Sequence, residues 1–186
     1  SLDKMSRLDR PSQYGDTLQE RLFNVGLELT ITWMNRILFM KLLEAQLIKY
    51  HKGDRQYEFL NTHKIQNYDD LNSLFFKVLA RKLQDRGVTT KEAFDKVPYL
   101  NSSLFEPTEL EHTTLFVSNL GDNRELPIYN ETVLKDINGK RRTGKMNPLE
   151  YLFEFLEAYD FTSEGSEAIQ EDNKTLINAS VLGLIF

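Results

Sequence analysis

The sequence contains no cysteine, and this absence excludes several kinds of site. Disulfide bonds, thiolate metal ligands and a cysteine nucleophile are all ruled out. Histidine is scarce, and His51, His63 and His112 lack the close helical pairing of a zinc site. The chain also lacks a run of about 18 apolar residues, the length that a membrane-spanning helix requires. We therefore expect a cytoplasmic protein with no membrane partner.

Acidic residues outnumber basic residues, and the basic residues are unevenly distributed along the chain. The net charge is −5. Residues 1–100 carry 16 basic and 13 acidic side chains, for a net +3, whereas residues 101–186 carry 7 and 15, for a net −8. This distribution excludes a globally basic nucleic-acid-binding protein, so any contact with DNA has to be local.

Length and composition fit one domain, whereas the two ends indicate a longer protein. The 186 residues are 40% apolar and 27% charged, which is typical of a single globular domain. The chain begins with Ser1 and ends on the apolar run Val181–Phe186. Because such an end exposes an apolar patch, we expect a fragment of a longer protein that self-associates weakly through residues 176–186.

The strongest structural signal is a long first helix. Thr17 and Glu20 have the spacing of a capping box, apolar residues then recur at steps of three and four, and Gly53 ends the pattern. The pattern predicts a helix over about 17–52 with two apolar faces, which we expect to be covered from two sides. The second of these faces consists of Leu27, Ile31, Met34, Leu38 and Leu42.

Shorter helices are predicted further along the chain. A stripe of apolar residues predicts a helix from Asp69 or Asp70 to Asp85. Asn147 and Pro148 have the residue types of an N-cap and a first helical position, and they predict a helix ending near Tyr159. We also predict a short helix over 90–96, an ordered loop over 98–107 and a last helix from about Asn178.

Residues 115–146 differ from the rest because they contain short β-prone segments separated by turn residues. Asn138 and Gly139 form the strongest hairpin signal among them. We therefore predict a small β-hairpin inserted over about 115–146. The predicted fold is mainly α, a helical bundle-like single domain over 1–186 with this inserted hairpin.

The hairpin segment contains a basic run that resembles a phosphate-binding loop. Gly139–Lys145 matches the pattern G-x-x-x-x-G-K, but Met146 stands where the pattern requires Ser or Thr to hold magnesium. A solvated basic loop explains the run most simply, and nucleotide binding by an ATPase fragment is one alternative. The other is contact with a DNA backbone through Lys140, Arg141, Arg142 and Lys145.

Two further patterns provide weak evidence for chemistry. Glu106, Glu109, Glu111 and His112 form a local cluster that could bind a metal, but a solvated helix start is the simpler interpretation. Asp172-Asn173-Lys174 has an acid-x-Lys spacing that metal-dependent nucleases use, and it lacks the Pro-Asp partner of such sites. We predict no catalytic, cofactor-binding or metal-binding residue in this chain.

Several segments resemble a known family. Tyr99–Glu106, which includes Leu100, Asn101, Leu104 and Phe105, resembles a Tyr-Leu-Asn-Gly-Gly-Leu-Phe-Glu signature, with Ser102 and Ser103 in place of the two glycines. That signature lies upstream of the methyltransferase domain in single-chain type IIG-like restriction-modification enzymes and related adenine methylases. Three more segments are similar to stretches of the same region: Ile37–Glu44, then Tyr159-Asp160-Phe161-Thr162, and finally Leu182-Gly183 with Ile185-Phe186.

The resemblance implies a helical connector between a nuclease and an S-adenosylmethionine-dependent adenine methyltransferase. It implies that the parent protein binds DNA, uses S-adenosylmethionine and magnesium, and contacts this region through its nuclease and methyltransferase domains. It assigns no catalytic residue to this chain, because Asn147-Pro148-Leu149 lacks the second proline and the aromatic of the Asn-Pro-Pro-Tyr motif. We therefore expect a non-catalytic spacer, and the alternative is a helical protein–protein scaffold unrelated to DNA.

Overall fold

The computed structural model describes residues 7–161 and 175–176, and this part of the chain is mainly helical. The fold class is therefore confirmed as mainly α with a small hairpin. The α-helices of the described part are α1 (Leu18–Tyr50), α2 (Tyr68–Ser73), α3 (Val88–Ala93), α4 (Glu109–Thr113) and α5 (Pro148–Glu157).

The described strands are short and form two separate pairs. β1 (Leu126–Pro127) pairs antiparallel with β2 (Lys145–Met146). β3 (Tyr159–Asp160) pairs in parallel with β4 (Thr175–Leu176), a pairing that the sequence analysis did not predict. Short 3₁₀ turns lie between the helices, at Pro11–Tyr14, Arg55–Tyr57, Leu83–Asp85, Ser103–Phe105 and Val117–Asn119.

Helix α1 has the two ends that the sequence predicts. The Thr17 hydroxyl accepts a hydrogen bond from the Glu20 amide at 3.2 Å, and the Glu20 carboxylate accepts one from the Thr17 amide at 2.9 Å. At the other end, the amide of Gly53 donates to the Ile48 carbonyl at 2.8 Å, and Gly53 adopts a φ of 87°. Both ends are fixed by contacts within a few residues, so local sequence suffices to predict them.

The two apolar faces of α1 differ in burial. On the first face, Val25, Leu29 and Trp33 are buried, although Leu18 and Leu22 at its start are 48% and 45% exposed. On the second face, Leu27 remains 47% exposed and Ile31 remains 51% exposed. The expectation that the helix is covered from two sides is therefore wrong in its first half, where periodicity alone does not identify which face meets the core.

The helix predicted to reach Asp85 ends earlier. Helix α2 continues as a π-helical segment over Leu74–Leu79 and then stops. The Leu79 carbonyl accepts a hydrogen bond from the Leu100 amide at 2.9 Å, where a continuing α-helix would take the Leu83 amide. A long-range contact thus replaces the local hydrogen bond, although the residues after Leu79 are good helix formers.

Contacts divide the chain into two compact units. Unit 1 comprises Ser1–Phe39 and Tyr68–Leu120, and unit 2 comprises Met40–Asn67 and Gly121–Phe186. The expected single domain over 1–186 stays a prediction. In unit 1, the side chains without exposed surface include Leu74, Phe75, Val78, Leu79 and Phe105.

Unit 2 contains a buried carboxylate that joins two of its segments. Glu44 on α1 is 1% exposed and accepts hydrogen bonds from the Phe59 and Leu60 amides, both at 2.6 Å. It also forms an ion pair with Lys41 at 2.6 Å. These hydrogen bonds and the ion pair offset the desolvation cost of the buried carboxylate.

The hairpin of unit 2 is shorter than predicted. Its strands begin at Leu126 and end at Met146, whereas Val117–Asn119 forms a 3₁₀ turn within the predicted 115–146 range. Buried Ile128, Leu134 and Met146 form its apolar core. Helix α5 follows directly, and the Asn147 side chain accepts from the Leu149 amide at 2.9 Å, as its N-cap position predicts.

Candidate nucleic-acid interface

The basic hairpin, residues 126–146, ends in a tight turn that is closed by hydrogen bonds to Asp136. The Asp136 carboxylate accepts from the amides of Asn138 at 2.8 Å and Lys140 at 2.9 Å. The Asp136 amide donates to the Lys140 carbonyl at 2.8 Å, and Gly139 adopts a φ of 76°. The Asn138-Gly139 turn signal is therefore confirmed, and the glycine supplies the left-handed conformation that the turn requires.

Two of the four predicted cations are ion-paired. Arg141 pairs with Glu131 at 2.7 Å, with both side chains more than half exposed. Arg142 pairs with Glu154 on α5. The Glu154 hydrogen bond raises the pKa of Arg142 above its ordinary value. Arg142 thus attaches the hairpin to α5 and is a positioning residue within unit 2.

The other two cations remain exposed. Lys140 and Lys145 are exposed, and neither has an ion pair within the described part of the chain. The structure adds a third such cation, Lys135, which the sequence analysis missed. Lys135 forms a β-bridge with Arg141. Its position could have been deduced by counting back across the turn from Arg141, since opposite residues of a hairpin share one face.

The geometry of the phosphate-loop pattern does not favour nucleotide binding. A phosphate-binding loop presents free backbone amides to the phosphates. Here the Gly139 amide donates to the Asp136 carbonyl at 3.0 Å, and the Arg142 amide donates to the Leu134 carbonyl at 2.9 Å. With the Lys140 amide, which donates to Asp136, three amides of this segment are used by the hairpin, and this favours the basic-loop interpretation.

The hairpin also exposes apolar side chains that the sequence analysis missed. Ile137 at the tip has a relative exposure of 101%, and Tyr129 and Val133 are 67% and 42% exposed. An isoleucine is unusual at a turn position, where Gly, Asn, Asp, Pro and Ser dominate. Its position between Asp136 and Asn138, next to a strong turn signal, was the available clue.

The segment that resembles the family signature is held by Arg36 of α1. The Arg36 guanidinium donates to the carbonyls of Leu104 at 2.7 Å and Glu106 at 2.9 Å. Phe105 is fully buried, Leu100 and Leu104 are half-buried, and Asn101 is exposed. The segment is thus an ordered loop, as predicted.

The same arginine is part of a buried ion pair. Arg36 is 1% exposed and Glu111 is fully buried, and their closest nitrogen and oxygen lie 2.5 Å apart. The indole of Trp33 donates to Glu111 at 2.8 Å, and the amide of Thr108 donates to it at 2.8 Å. Arg36 also lies over the rings of Phe75 and Phe76, at 5.3 and 5.0 Å from their centroids.

This network places Glu111, one member of the predicted acidic cluster, in the protein interior. Both Glu111 oxygens accept hydrogen bonds from protein donors, so the solvated-helix interpretation is wrong for this residue, which is buried. Within residues 7–161 and 175–176, no group of three or more His, Asp or Glu side chains could hold a metal ion. Glu111 therefore has a structural role in unit 1.

The remaining residues of the resemblance lie at the end of the described chain or beyond it. Tyr159 and Asp160 form β3, and Phe161 is 4% exposed. Leu182 and Gly183 lie outside the described residues, as do the acid-x-Lys pattern at 172–174 and the helix predicted from about 178. The predicted self-association through 176–186 also concerns a segment of which the structure describes only Leu176.

Comparison with known families now adds one assignment. A family model described as a domain of unknown function (DUF7814) matches residues 1–177. The chain belongs to the DUF7814 family. The DUF7814 match includes both the basic hairpin and the segment around Leu104. No curated protein and no solved structure was found to match the chain.

The DUF7814 description states no activity, so a functional proposal has to rest on the chemistry of this chain. Among the helices of the described part, none has the length and apolar character that a membrane crossing requires. Two exposed features of the described residues can contact a partner. They are the cations of the basic hairpin and the apolar face of α1 that includes Leu27 and Ile31.

Proposed function

We propose that this chain is a non-catalytic helical spacer of a DNA restriction-modification enzyme and that its basic hairpin contacts the DNA backbone. Its neighbours would be a nuclease domain and an S-adenosylmethionine-dependent adenine methyltransferase domain of the same cytoplasmic protein. The support for this family is the ordered set of resembling segments, of which Tyr99–Glu106 is the longest. Any S-adenosylmethionine or magnesium would be held by those neighbouring domains.

The observation that carries the DNA contact is the exposed charge of the hairpin. Residues 126–146 contain five basic and two acidic side chains, for a net +3, whereas residues 101–186 as a whole carry −8. Lys135, Lys140 and Lys145 are exposed without a carboxylate partner among the described residues. Such cations bind phosphates by releasing counterions.

A salt titration tests this contact. Affinity of the chain for duplex DNA should fall as salt rises, with a slope of about 0.9 per phosphate contacted. Replacing Lys140 and Lys145 with glutamine should lower the slope by about two and weaken binding to all sequences alike. Fluorescence anisotropy of a labelled duplex at several salt concentrations measures both.

Two exposed lysines of unit 1 provide the matched control. Replacing Lys82 and Lys91 with glutamine removes the same charge from residues outside the hairpin. If this pair lowers the slope as much as the hairpin pair, or if the wild-type chain does not bind duplex DNA at low salt, the proposed contact is wrong.

The genomic context tests the parent enzyme separately. A coding sequence for an Asn-Pro-Pro-Tyr motif downstream of this region would support an adenine methyltransferase partner. A complete downstream reading frame that encodes no such motif would contradict the proposed parent, even if the hairpin binds DNA.

A second candidate function is a helical protein–protein scaffold unrelated to DNA. It is favoured by the exposed apolar face of α1, where Phe23 is 68%, Leu27 is 47% and Ile31 is 51% exposed. Exposed apolar faces of this kind mark sites of protein association. The scaffold predicts no salt-dependent DNA affinity, so the same titration decides between the two functions.

A further inference from the structure

The tip of the basic hairpin carries an apolar side chain that the fold does not use. Ile137 has a relative exposure of 101%, and no core contact accounts for it. The turn itself is formed by the Asp136 carboxylate and by Gly139, which has a φ of 76°. A polar residue would serve this turn equally well, so the Ile137 side chain is free to contact a partner.

The turn that holds Ile137 is rigidly built. The Asp136 side chain accepts from two amides, those of Asn138 and Lys140, and the Asp136 amide donates to the Lys140 carbonyl. The Gly139 amide donates to the Asp136 carbonyl at 3.0 Å. These hydrogen bonds pre-organise the tip, so that little conformational entropy is lost if Ile137 enters a binding partner.

Cations lie in both arms of the hairpin just below the tip. Lys135 and Arg141 are opposite each other in the β-bridge and share one face. Lys140 is the first residue after the turn, and its side chain is exposed. A projecting apolar tip with cations on both sides fits a groove of duplex DNA, whose two walls are phosphate backbones.

We propose that Ile137 is a wedge that inserts between stacked base pairs of bound duplex DNA, while the flanking cations contact phosphates on both sides of the groove. Apolar wedges of this kind unstack one base step and kink the duplex. Flexible pyrimidine–purine steps such as TA are the easiest to open. The proposal rests on the proposed DNA contact and adds to it a deformation of the DNA at the hairpin tip.

An anionic membrane surface is the competing partner class, and the geometry disfavours it. The tip presents a single side chain, Ile137, which is far smaller than the acyl chain that anchors a protein to a bilayer together with a basic patch.

The test uses the whole chain and a duplex with 2-aminopurine at a central TA step. Unstacking of the step raises the 2-aminopurine fluorescence, and dyes at the two ends report a bend by energy transfer. The wild-type chain should produce both signals. Ile137→Ala should lose them while it keeps the salt slope of binding. Val133→Ala removes an exposed side chain from the same hairpin away from the tip, and it should retain both signals.

Circular dichroism and the denaturation midpoint of each variant confirm that it is folded. If Ile137→Ala raises the 2-aminopurine signal as much as the wild type, the wedge is wrong and the backbone contact stands. If the wild type does not bind duplex DNA, the proposed function fails and the wedge with it. If Ile137→Ala loses binding to vesicles of phosphatidylserine while the DNA signals are unchanged, the tip is a membrane contact and the wedge is overturned.

Discussion

A single arginine connects the segments of unit 1. Arg36 of α1 donates to two carbonyls of the loop, those of Leu104 and Glu106, and forms a two-pronged ion pair with Glu111. The planar guanidinium can serve these separate acceptors at once, which a lysine ammonium cannot do. The loop around Phe105 is therefore held by α1 through its backbone, and its exposed side chains such as Asn101 do not contribute to this attachment.

Removal of the Glu111 charge should destabilise the protein strongly. Glu111→Gln leaves the buried Arg36 guanidinium without its counterion, and breaking a buried pair in this way costs about 3–5 kcal/mol. Urea unfolding at neutral pH, followed by far-UV circular dichroism, measures the loss. Glu109→Gln is the control because Glu109 is exposed on the same helix. Equal midpoints for the two variants would mean that the pair contributes no net stability.

The ion pair also predicts a pH dependence. Burial raises the pKa of Glu111, but hydrogen bonds from Arg36, Thr108 and Trp33 lower it further than burial raises it, so the net pKa lies below the ordinary 4.5. A lowered folded-state pKa stabilises the protein above the unfolded value, and this contribution is lost as pH falls through the lowered pKa.

Unfolding midpoints measured from pH 7 down to pH 3 test this dependence. The wild type should lose stability below about pH 4.5, the ordinary pKa of a glutamate, and the loss should be smaller in Glu111→Gln, which has no carboxylate to protonate. Parallel curves for the two proteins would show that other carboxylates account for the acid sensitivity.

At the scale of elements, α1 contains a glycine with no evident structural need. Gly26 is exposed within the helix, and a Cβ at this position would meet no atom within 4 Å. Gly26→Ala should raise the free energy of unfolding by about 0.5–1 kcal/mol, since alanine loses less backbone entropy on folding.

Gly139 in the hairpin turn is the contrasting position. Its φ of 76° is unfavourable for a residue with a Cβ, so Gly139→Ala should destabilise by about 1–2 kcal/mol. Thermal or urea midpoints of both variants test the pair of expectations. A Gly26→Ala variant less stable than the wild type would indicate that the glycine serves a close approach to α1 that these contacts do not account for.

Elements whose ends depend on nearby residues could be predicted from the sequence. The capping box of α1, the N-cap of α5 at Asn147 and the turn at Gly139 all involve contacts within a few residues. The early end of α2 and the pairing of β3 with β4 could not be predicted, because they depend on distant partners such as Leu100 and Thr175.

The residues of the candidate site also divide into those that local sequence predicts and those that depend on distant partners. The four cations at 140–145 lie within six consecutive residues and were visible in the sequence. Arg36 and Glu111 are separated by 75 positions, and no local pattern links them. Lys135 belongs to the site only because the hairpin register places it opposite Arg141, and Ile137 attracts notice only once its exposure is known.

At the scale of the whole molecule, we expect the purified chain to show no nuclease, methyltransferase or ATPase activity. Three of the amides that would bind a phosphate at 139–145, those of Gly139, Lys140 and Arg142, are used by the hairpin, and the sequence contains no complete catalytic motif. Assays of magnesium-dependent DNA cleavage, methyl transfer from S-adenosylmethionine and ATP hydrolysis test this. Activity that persists through further purification and changes with a point mutation in this chain would contradict the expectation.

The two units alternate along the chain, and this order has a consequence for synthesis on the ribosome. Unit 1 requires residues on both sides of 40–67, and unit 2 requires residues that follow 120. The segment 40–67, with its apolar Phe59 and Leu60, therefore emerges well before the residues that complete its own unit. Until those residues are synthesised, the segment exposes apolar surface of the kind that chaperones bind. Nascent chains released near residue 120 should therefore be prone to aggregation.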